Sequence, residues 1–343
     1  MTKAPALTLD LKSTIMLVLL AAVWGGSFFF SEVALTEVPP LTITLHRVFW
    51  AAPILALVVL SKGIEIPRSL RVWGAYLVMG ALNNAIPFSL IFWGQTQIDS
   101  GLVSILNGTT AVFAAVVAGA LLPDEPLTMK KIVGAALGVA GVAFIMGPEA
   151  LTNFSLSNLA QLAVLGATLC YAFAGVWAKI ALAGQPPLMN ALGMLTGSTV
   201  LMIPIVFVFD GPPQFALSIQ VWGALLGMAA LSTALAFVLY FTILGRAGAA
   251  NLLLVTLLIP PFAIGLGALF LGERMELDAW IGFAIIGLGF AVTDGRLFSF
   301  RARKMPVRTG VGRPCPAVAG AVSICDPPAE PHALSLPPPG TVK

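Results

Sequence analysis

Arg47 is a permanent charge inside an apolar run, residues 41–60, roughly 9 Å from the start of that run at about 1.5 Å per residue. Charge in such a run is costly and turns toward a partner or an interior. Three roles are open to it: snorkelling to the surface with His46 beside it, an ion pair or gate with Glu32 across a short connection, or contact with an anionic group inside a cavity. Asn83 and Asn84, central in the run 72–93, and Asn107, within 101–122, are amides that must hydrogen-bond a neighbouring helix or a solute. Trp24, Trp93, Tyr171, Trp177 and Tyr240 are the rings of interest. Trp and Tyr at the ends of apolar runs anchor at membrane interfaces, which fits Trp93 best. Trp24 and Tyr171 lie well inside their runs, where rings suit stacking and cation–π contact with an amino acid or an amphiphilic solute.

Other chemistry is missing from the sequence. No carboxylate stands at mid-depth in any apolar run, as a proton relay would require. No nucleotide-binding loop, metal-ligand cluster or activated nucleophile is present, and the histidines, His46 and His332, are far apart. The expectation is a protein that is not an enzyme, with no cofactor, no metal and no nucleic-acid partner.

The elements that position these residues are membrane helices. With 58% hydrophobic and 10% charged residues and a mean hydropathy of +0.97, the chain has too few charges to cover a water-facing surface, where about 25% is usual. Runs of bilayer length occur at 14–32, 41–60, 72–93, 101–122, 131–147, 159–182, 189–209, 221–243, 250–271 and 279–294. The fold class expected is therefore all-α, a polytopic membrane protein with ten transmembrane helices. Orientation follows from the cations. With a cytoplasmic N-terminus, the inner segments hold Lys3, Lys12, Lys62, Arg68, Arg71, Lys130, Lys131, Arg246 and the seven cations of the tail, while the outer loops keep Arg274 alone. Both termini are expected on the cytoplasmic side of the cytoplasmic (inner) membrane.

The sequence also repeats. "GALLPDEPLTMKKIVGAALGVAGVA" (119–143) aligns with "GALFLGERMELDAWIGFAIIGLGFA" (267–291), matching Gly119, Glu125, Gly134 and Gly141 to Gly267, Glu273, Gly282 and Gly289. Trp24 meets Tyr171, and Pro39-Pro40 meets Pro186-Pro187, one residue out of that register. The organisation expected is an N-terminus at 1–13, five-helix repeats at 14–150 and 151–294, and a tail at 295–343. Five spans per repeat is an odd number, so the second copy enters the membrane from the opposite side. Inverted repeats of this kind expose one midplane site alternately to each face.

"WGGSFFFSEVAL" followed by "VPPLTITLHRVFWAA", together with "FWGQTQIDSGLVSILNGTTAVF" and "LVTLLIPPFAIGLGALFLGE", resembles the ten-helix EamA-type members of the drug/metabolite transporter superfamily over roughly residues 14–294. The chain departs from that pattern at Glu32, where the family often has Lys, and at Ala111, where many members have Pro. The resemblance implies a secondary transporter, frequently an exporter of amino acids or other small metabolites, with a central cavity between its halves. Multidrug efflux of organic cations is the alternative, and a non-transporting sensor or scaffold a third. Partners are then a small solute and the bilayer, with a homodimer left open.

The candidate cavity residues are Trp24, Arg47, Asn83, Asn84, Trp93, Asn107, Tyr171 and Tyr240, with Glu32–Arg47 as a gate pair. Pro87, Pro260 and Pro261 remove backbone hydrogen bonds and are candidate hinges. The small residues of 101–118 and the glycine pairs 134/138, 193/197 and 223/227 read as helix packing. Glu125 and Glu273 read as structural caps of the helices that follow them or partners of a loop lysine. The tail, basic and then Pro-rich, reads as disordered, with its start near anionic lipid.

Overall fold

A computed structural model describes residues 10–123, 127–146, 155–252 and 254–294. Among these the regular structure is helical: α1 Leu11–Leu35, α2 Pro40–Ser61, α3 Leu70–Gln95, α4 Ser100–Leu121, α5 Met129–Met146, α6 Leu156–Ala181, α7 Pro187–Phe209, α8 Ile219–Ala247, α9 Val255–Leu271 and α10 Leu277–Asp294. A single turn, Ala249–Leu252, precedes α9. Seven of these helices (α1–α4 and α6–α8) are long and apolar enough to cross a membrane, and α9 and the segment Leu277–Thr293 are apolar but shorter. Large apolar side chains such as Leu57, Val208, Phe209 and Leu269 are exposed on the bundle surface, as lipid-facing residues are. The expected runs fall on these helices to within a few residues. The main difference lies at 250–271, where the run divides into the short turn and α9. The tail, with Cys315, Cys325 and His332, and Glu125 lie outside the described residues.

Consecutive helices are not the main neighbours. α1 packs on α8 and α9, α6 on α3 and α4, α2 on α7 and α8, α7 on α2 and α3, and α5 on α10. This set of pairs is unchanged when each helix is exchanged with the one five places along the chain. The α5–α10 pair shows why the aligned glycines recur. A Cβ on Gly134 would come 2.6 Å from Gly289 O, and one on Gly141 2.9 Å from Gly282 O, so the backbones meet where a side chain cannot fit. Gly193 and Gly197 likewise admit Tyr76 and the backbone of α3, whereas Gly223 faces open space and takes no part in packing.

Three helices carry a widened, π-type turn: Ala81–Ala85 in α3 and Ala230–Leu235 in α8, which are equivalent in the two halves, and Gly267–Leu271 at the end of α9. In α3 the cause is Pro87, which cannot donate to the carbonyl of Asn83 and crowds it. In α8 no proline is near. There Thr233 Oγ1 donates to Met228 O at 3.1 Å, five residues back, inserting a side chain into the helical ladder. α4 is also interrupted, between Asn107 and Thr110.

Candidate functional site

Arg47, in the second turn of α2, is only 6% exposed. Its Nε donates to Thr233 Oγ1 at 3.1 Å, and Nη2 reaches Ser232 O at 3.5 Å, so the guanidinium docks on the widened turn of α8. Its Cζ stands 3.9 Å from the Phe88 ring centroid and 5.9 Å from that of Phe92, both on α3. Tyr171 of α6 lies nearby. Ser232 Oγ donates to Val23 O at 2.7 Å, tying the same turn to α1 beside Trp24. The Trp24 and Tyr240 rings lie 5.8 Å apart. Five helices thus meet around Arg47.

The expected Glu32–Arg47 pair is not formed. Glu32 Oε2 accepts from Gln95 Nε2 at 3.0 Å, and Gln95 Oε1 accepts from the Ser31 hydroxyl. The charge acting on Glu32 is that of Glu273, followed by Asp99. The physical reason is helix adjacency: α1 turns Glu32 toward the end of α3, while α2 turns Arg47 toward α8. His46, buried as well, does not join the Arg47 cluster. Its Nδ1 accepts from Trp50 Nε1 at 3.0 Å, and its ring meets Phe215 and Trp222 edge-on, within an aromatic group at the α2–α8 contact.

Asn84 is fully buried and donates to Ser198 Oγ of α7 at 3.0 Å, which makes it a bond between helices. Asn83, half-buried, donates to Asn84 Oδ1 at 3.2 Å and to Met194 Sδ at 3.5 Å. The buried Oδ1 of Asn107, at the interruption of α4, has no hydrogen-bond partner among the described residues. Trp93 is half-buried near the end of α3 and joins none of the ring contacts of the described residues. Pro260 and Pro261 lie inside α9, where a Cβ on Gly25 of α1 would come 2.7 Å from Phe262 Cβ.

Four residues of the Arg47 cluster escaped the sequence reading: Ser232, Thr233, Phe88 and Phe92. A signal for the first two existed. Ser232-Thr233 occupy in the second half the place of Asn83-Asn84 in the first, one residue beyond the offset that aligns Gly119 with Gly267.

The two ends of the bundle are tied differently. At the end containing Asp210, Asp210 Oδ2 accepts from Thr42 N (3.0 Å) and Thr42 Oγ1 (2.7 Å) at the start of α2. Glu273 Oε1 accepts from Ser100 N at 3.0 Å, and its Oε2 from Ser100 Oγ (2.9 Å) and Gly101 N (3.2 Å), at the start of α4. Glu37 Oε2 accepts from Ser218 N at 2.9 Å at the start of α8, and Ser218 holds its carboxyl below the ordinary carboxylate range. Each acid satisfies orphan N–H groups of a helix in the other half. Glu273 was expected to cap its following helix or bind a lysine; it caps α4 instead. Asp99, at the N-cap position of α4, makes no side-chain cap. Its carboxyl is raised by burial and by the nearby Glu273 and Glu276. At the opposite end Arg246 Nη2 meets Asp10 Oδ2 at 3.0 Å, with the side chains 42% and 51% exposed.

Known proteins resemble this chain. A family model described as "EamA-like transporter family" matches twice, over residues 11–147 and 158–293. Among curated relatives, the "Uncharacterized transporter YoaV" of Bacillus subtilis is 26% identical over 82% of this chain and 96% of its own length. The "Probable terminal-alkyne amino-acid exporter" of Streptantibioticus cattleyicolor is 27% identical over 84% and 96%. The "Probable amino-acid metabolite efflux pump" of Escherichia coli is 24% identical over 85% and 97%. A protein of known crystal structure superposes with a TM-score of 0.61 over 85% of this chain and 99% of its own, at 17% identity, which speaks to the fold alone. The apolar helices and the double family match identify an integral membrane transporter rather than an enzyme, and the chain belongs to the EamA-like transporter family.

Proposed function

We propose that this transporter is a ten-span secondary carrier in which two five-helix halves, inverted relative to each other, export an amino acid or related small metabolite by alternating access. One observation carries the reading. Glu273, just beyond the C-terminus of α9, caps the N-terminus of α4, so these two helices, equivalent in the sequence repeat, run in opposite directions. The unchanged pairing of helices under exchange of the halves, and the matched widened turns of α3 and α8, support the same arrangement. Solute class and direction draw on the printed names of the Streptantibioticus and Escherichia relatives. The cation bias puts the Asp10 end in the cytoplasm.

Solute enters between the halves, along a path proposed to be lined by Arg47, Trp24, Asn83, Tyr171 and Tyr240; Pro87, Pro260 and Pro261 mark the helices that bend as the halves rock. Topology and transport are tested separately. With single cysteines at Leu127 and Arg274, an impermeant maleimide added to intact cells labels position 274 and not 127. Labelling of both from one side contradicts the inversion. In proteoliposomes, purified protein equilibrates amino acids down their gradient. Accumulation against the gradient when a pH difference is imposed replaces a facilitator with a proton-coupled carrier.

A further inference from the structure

Arg47 carries a charge that no described residue neutralises. It is 6% exposed, yet no Asp or Glu among the described residues lies within ion-pair distance of it. Its nearest acids in sequence, Glu37 and Glu32, are engaged by Ser218 and Gln95. What the chain supplies is a neutral cradle: a hydroxyl, a backbone carbonyl and the face of a phenylalanine. Such contacts orient a guanidinium but do not neutralise it, and a buried charge left without a counter-charge is strongly unfavourable.

Two donor nitrogens of Arg47 are engaged by described residues. A guanidinium has five N–H donors. Nε is used by Thr233 and one Nη2 hydrogen by Ser232 O, which leaves both hydrogens of Nη1 and the second of Nη2. An anion with two oxygens engages that Nη1–Nη2 edge in the bidentate manner preferred by carboxylates. Charge sets the valence: one monoanion neutralises Arg47, whereas a dianion would bury a surplus negative charge in its place.

The surroundings set the rest of the ligand. Ser232 fastens α8 to α1 beside Trp24, and Tyr240, which meets Trp24 at 5.8 Å, stands seven residues beyond Thr233 on α8. Seven residues are two helical turns, about 10 Å, and return to nearly the same helix face. A carboxylate at Arg47 thus places an apolar or aromatic body about one side-chain length away, toward the Trp24–Tyr240 pair.

We infer that Arg47 is the recognition site for a single carboxylate of the solute, so that the substrates are small apolar or aromatic monocarboxylates, amino acids among them, and not organic cations. The inference rests on the transport reading for its biological meaning but concerns binding, and is tested as binding. Protein in lipid nanodiscs is titrated with a panel: L-phenylalanine and the other common amino acids, benzoate, phenethylamine, phenylalaninamide, sodium phosphate and sodium chloride. Thermal shift and intrinsic tryptophan fluorescence are the readouts.

One or more monocarboxylates are expected to raise Tm in saturable fashion, while the amide, the amine and the inorganic anions do not. Arg47→Gln weakens that binding by at least about 30-fold, the fold-change expected for truncating a buried charge pair. Thr233→Val, which keeps the charge but loosens its orientation, weakens it by a smaller factor, about 3- to 10-fold. The carboxylate-against-amide comparison uses wild-type protein and stands even if Arg47→Gln fails to fold. The inference is overturned if no monocarboxylate raises Tm, if phenethylamine or chloride does so equally, or if carboxylate binding survives in folded Arg47→Gln. Arg47-dependent binding without flux in proteoliposomes would sink the transport reading and leave this one intact. Flux that ignores Arg47 would do the reverse.

Discussion

The Asp210 end and the Asp10 end of the bundle perform the same task, holding one half of the molecule against the other, by different physics. At the Asp210 end, Asp210, Glu37 and Glu273 cross between halves to accept from the first N–H groups of α2, α8 and α4. Those groups have no intrahelical partner, and each helix start carries partial positive charge, so an acid there gains both a hydrogen bond and a favourable field. At the Asp10 end, α1 is capped within its own half by Asp10, and the ion pair to Arg246 is half exposed. Exposed pairs are screened and contribute little. The difference is that caps on helix starts tie the Asp210 end, whereas the Asp10–Arg246 tie is solvated. In the proposed carrier, rocking toward an opening at the Asp210 end would uncap three helices, while rocking at the Asp10 end would separate the solvated Asp10–Arg246 pair.

The sharpest way to break the comparison is to remove the cap with the most donors. Glu273→Ala strips acceptors from Ser100 N, Ser100 Oγ and Gly101 N at once. Losing such a cap costs about 2 kcal/mol, the upper part of the range for N-caps, or roughly 30-fold in the balance between conformers. Spin labels at Thr36 and Gln214, both exposed at this end, are expected to show a new longer-distance population by pulsed electron resonance. An unchanged distance distribution would mean that the caps do not hold the halves together. Asp210→Asn is the milder version. It retains an acceptor for Thr42 but not the charge, and is expected to shift the same distribution by less than half as much as Glu273→Ala.

How much of this was readable from residues alone divides along the same line. The helices were legible because runs of about twenty apolar residues have few other structures open to them, and the repeat was legible because Gly134, Gly141, Gly282 and Gly289 must stay small where α5 and α10 touch. The burial of Arg47 was legible from its cost. Its partners were not. A short connection between α1 and α2 made Glu32 look like its neighbour, but α1 packs on α8 and α9, so the residue that meets Arg47 lies 186 positions away. The same holds for Glu273, whose target, Ser100, lies 173 positions back. Pro87 announced the widened turn of α3, whereas the matching turn of α8 rests on Thr233 bonding backward, a conformational choice that any threonine in a helix could decline.

The smallest effect belongs to the Asp10 end, and its sign can be worked out. Hydrogen bonding from Ser13, then Arg246, holds the Asp10 carboxyl at about 2, below its ordinary 3.8. A group depressed on folding adds stability above its unfolded value and loses it as pH falls through the folded one. The contribution of Asp10 is therefore complete and flat above about pH 5 and disappears between roughly pH 4 and 2. Comparing wild type with Asp10→Asn, the Tm difference is expected to be constant from pH 5 to pH 8 and to close on acidification; a difference that grew between pH 6 and 8 would assign the effect to another group. Arg246→Gln is expected to leave the Thr36–Gln214 distances unchanged in low salt and in high salt, since the pair lies at the far end from those labels. If instead it closes the Asp210 end further or opens it, the exposed pair is coupled across the bundle, and the contrast between the two ends has to be replaced by a single mechanical unit.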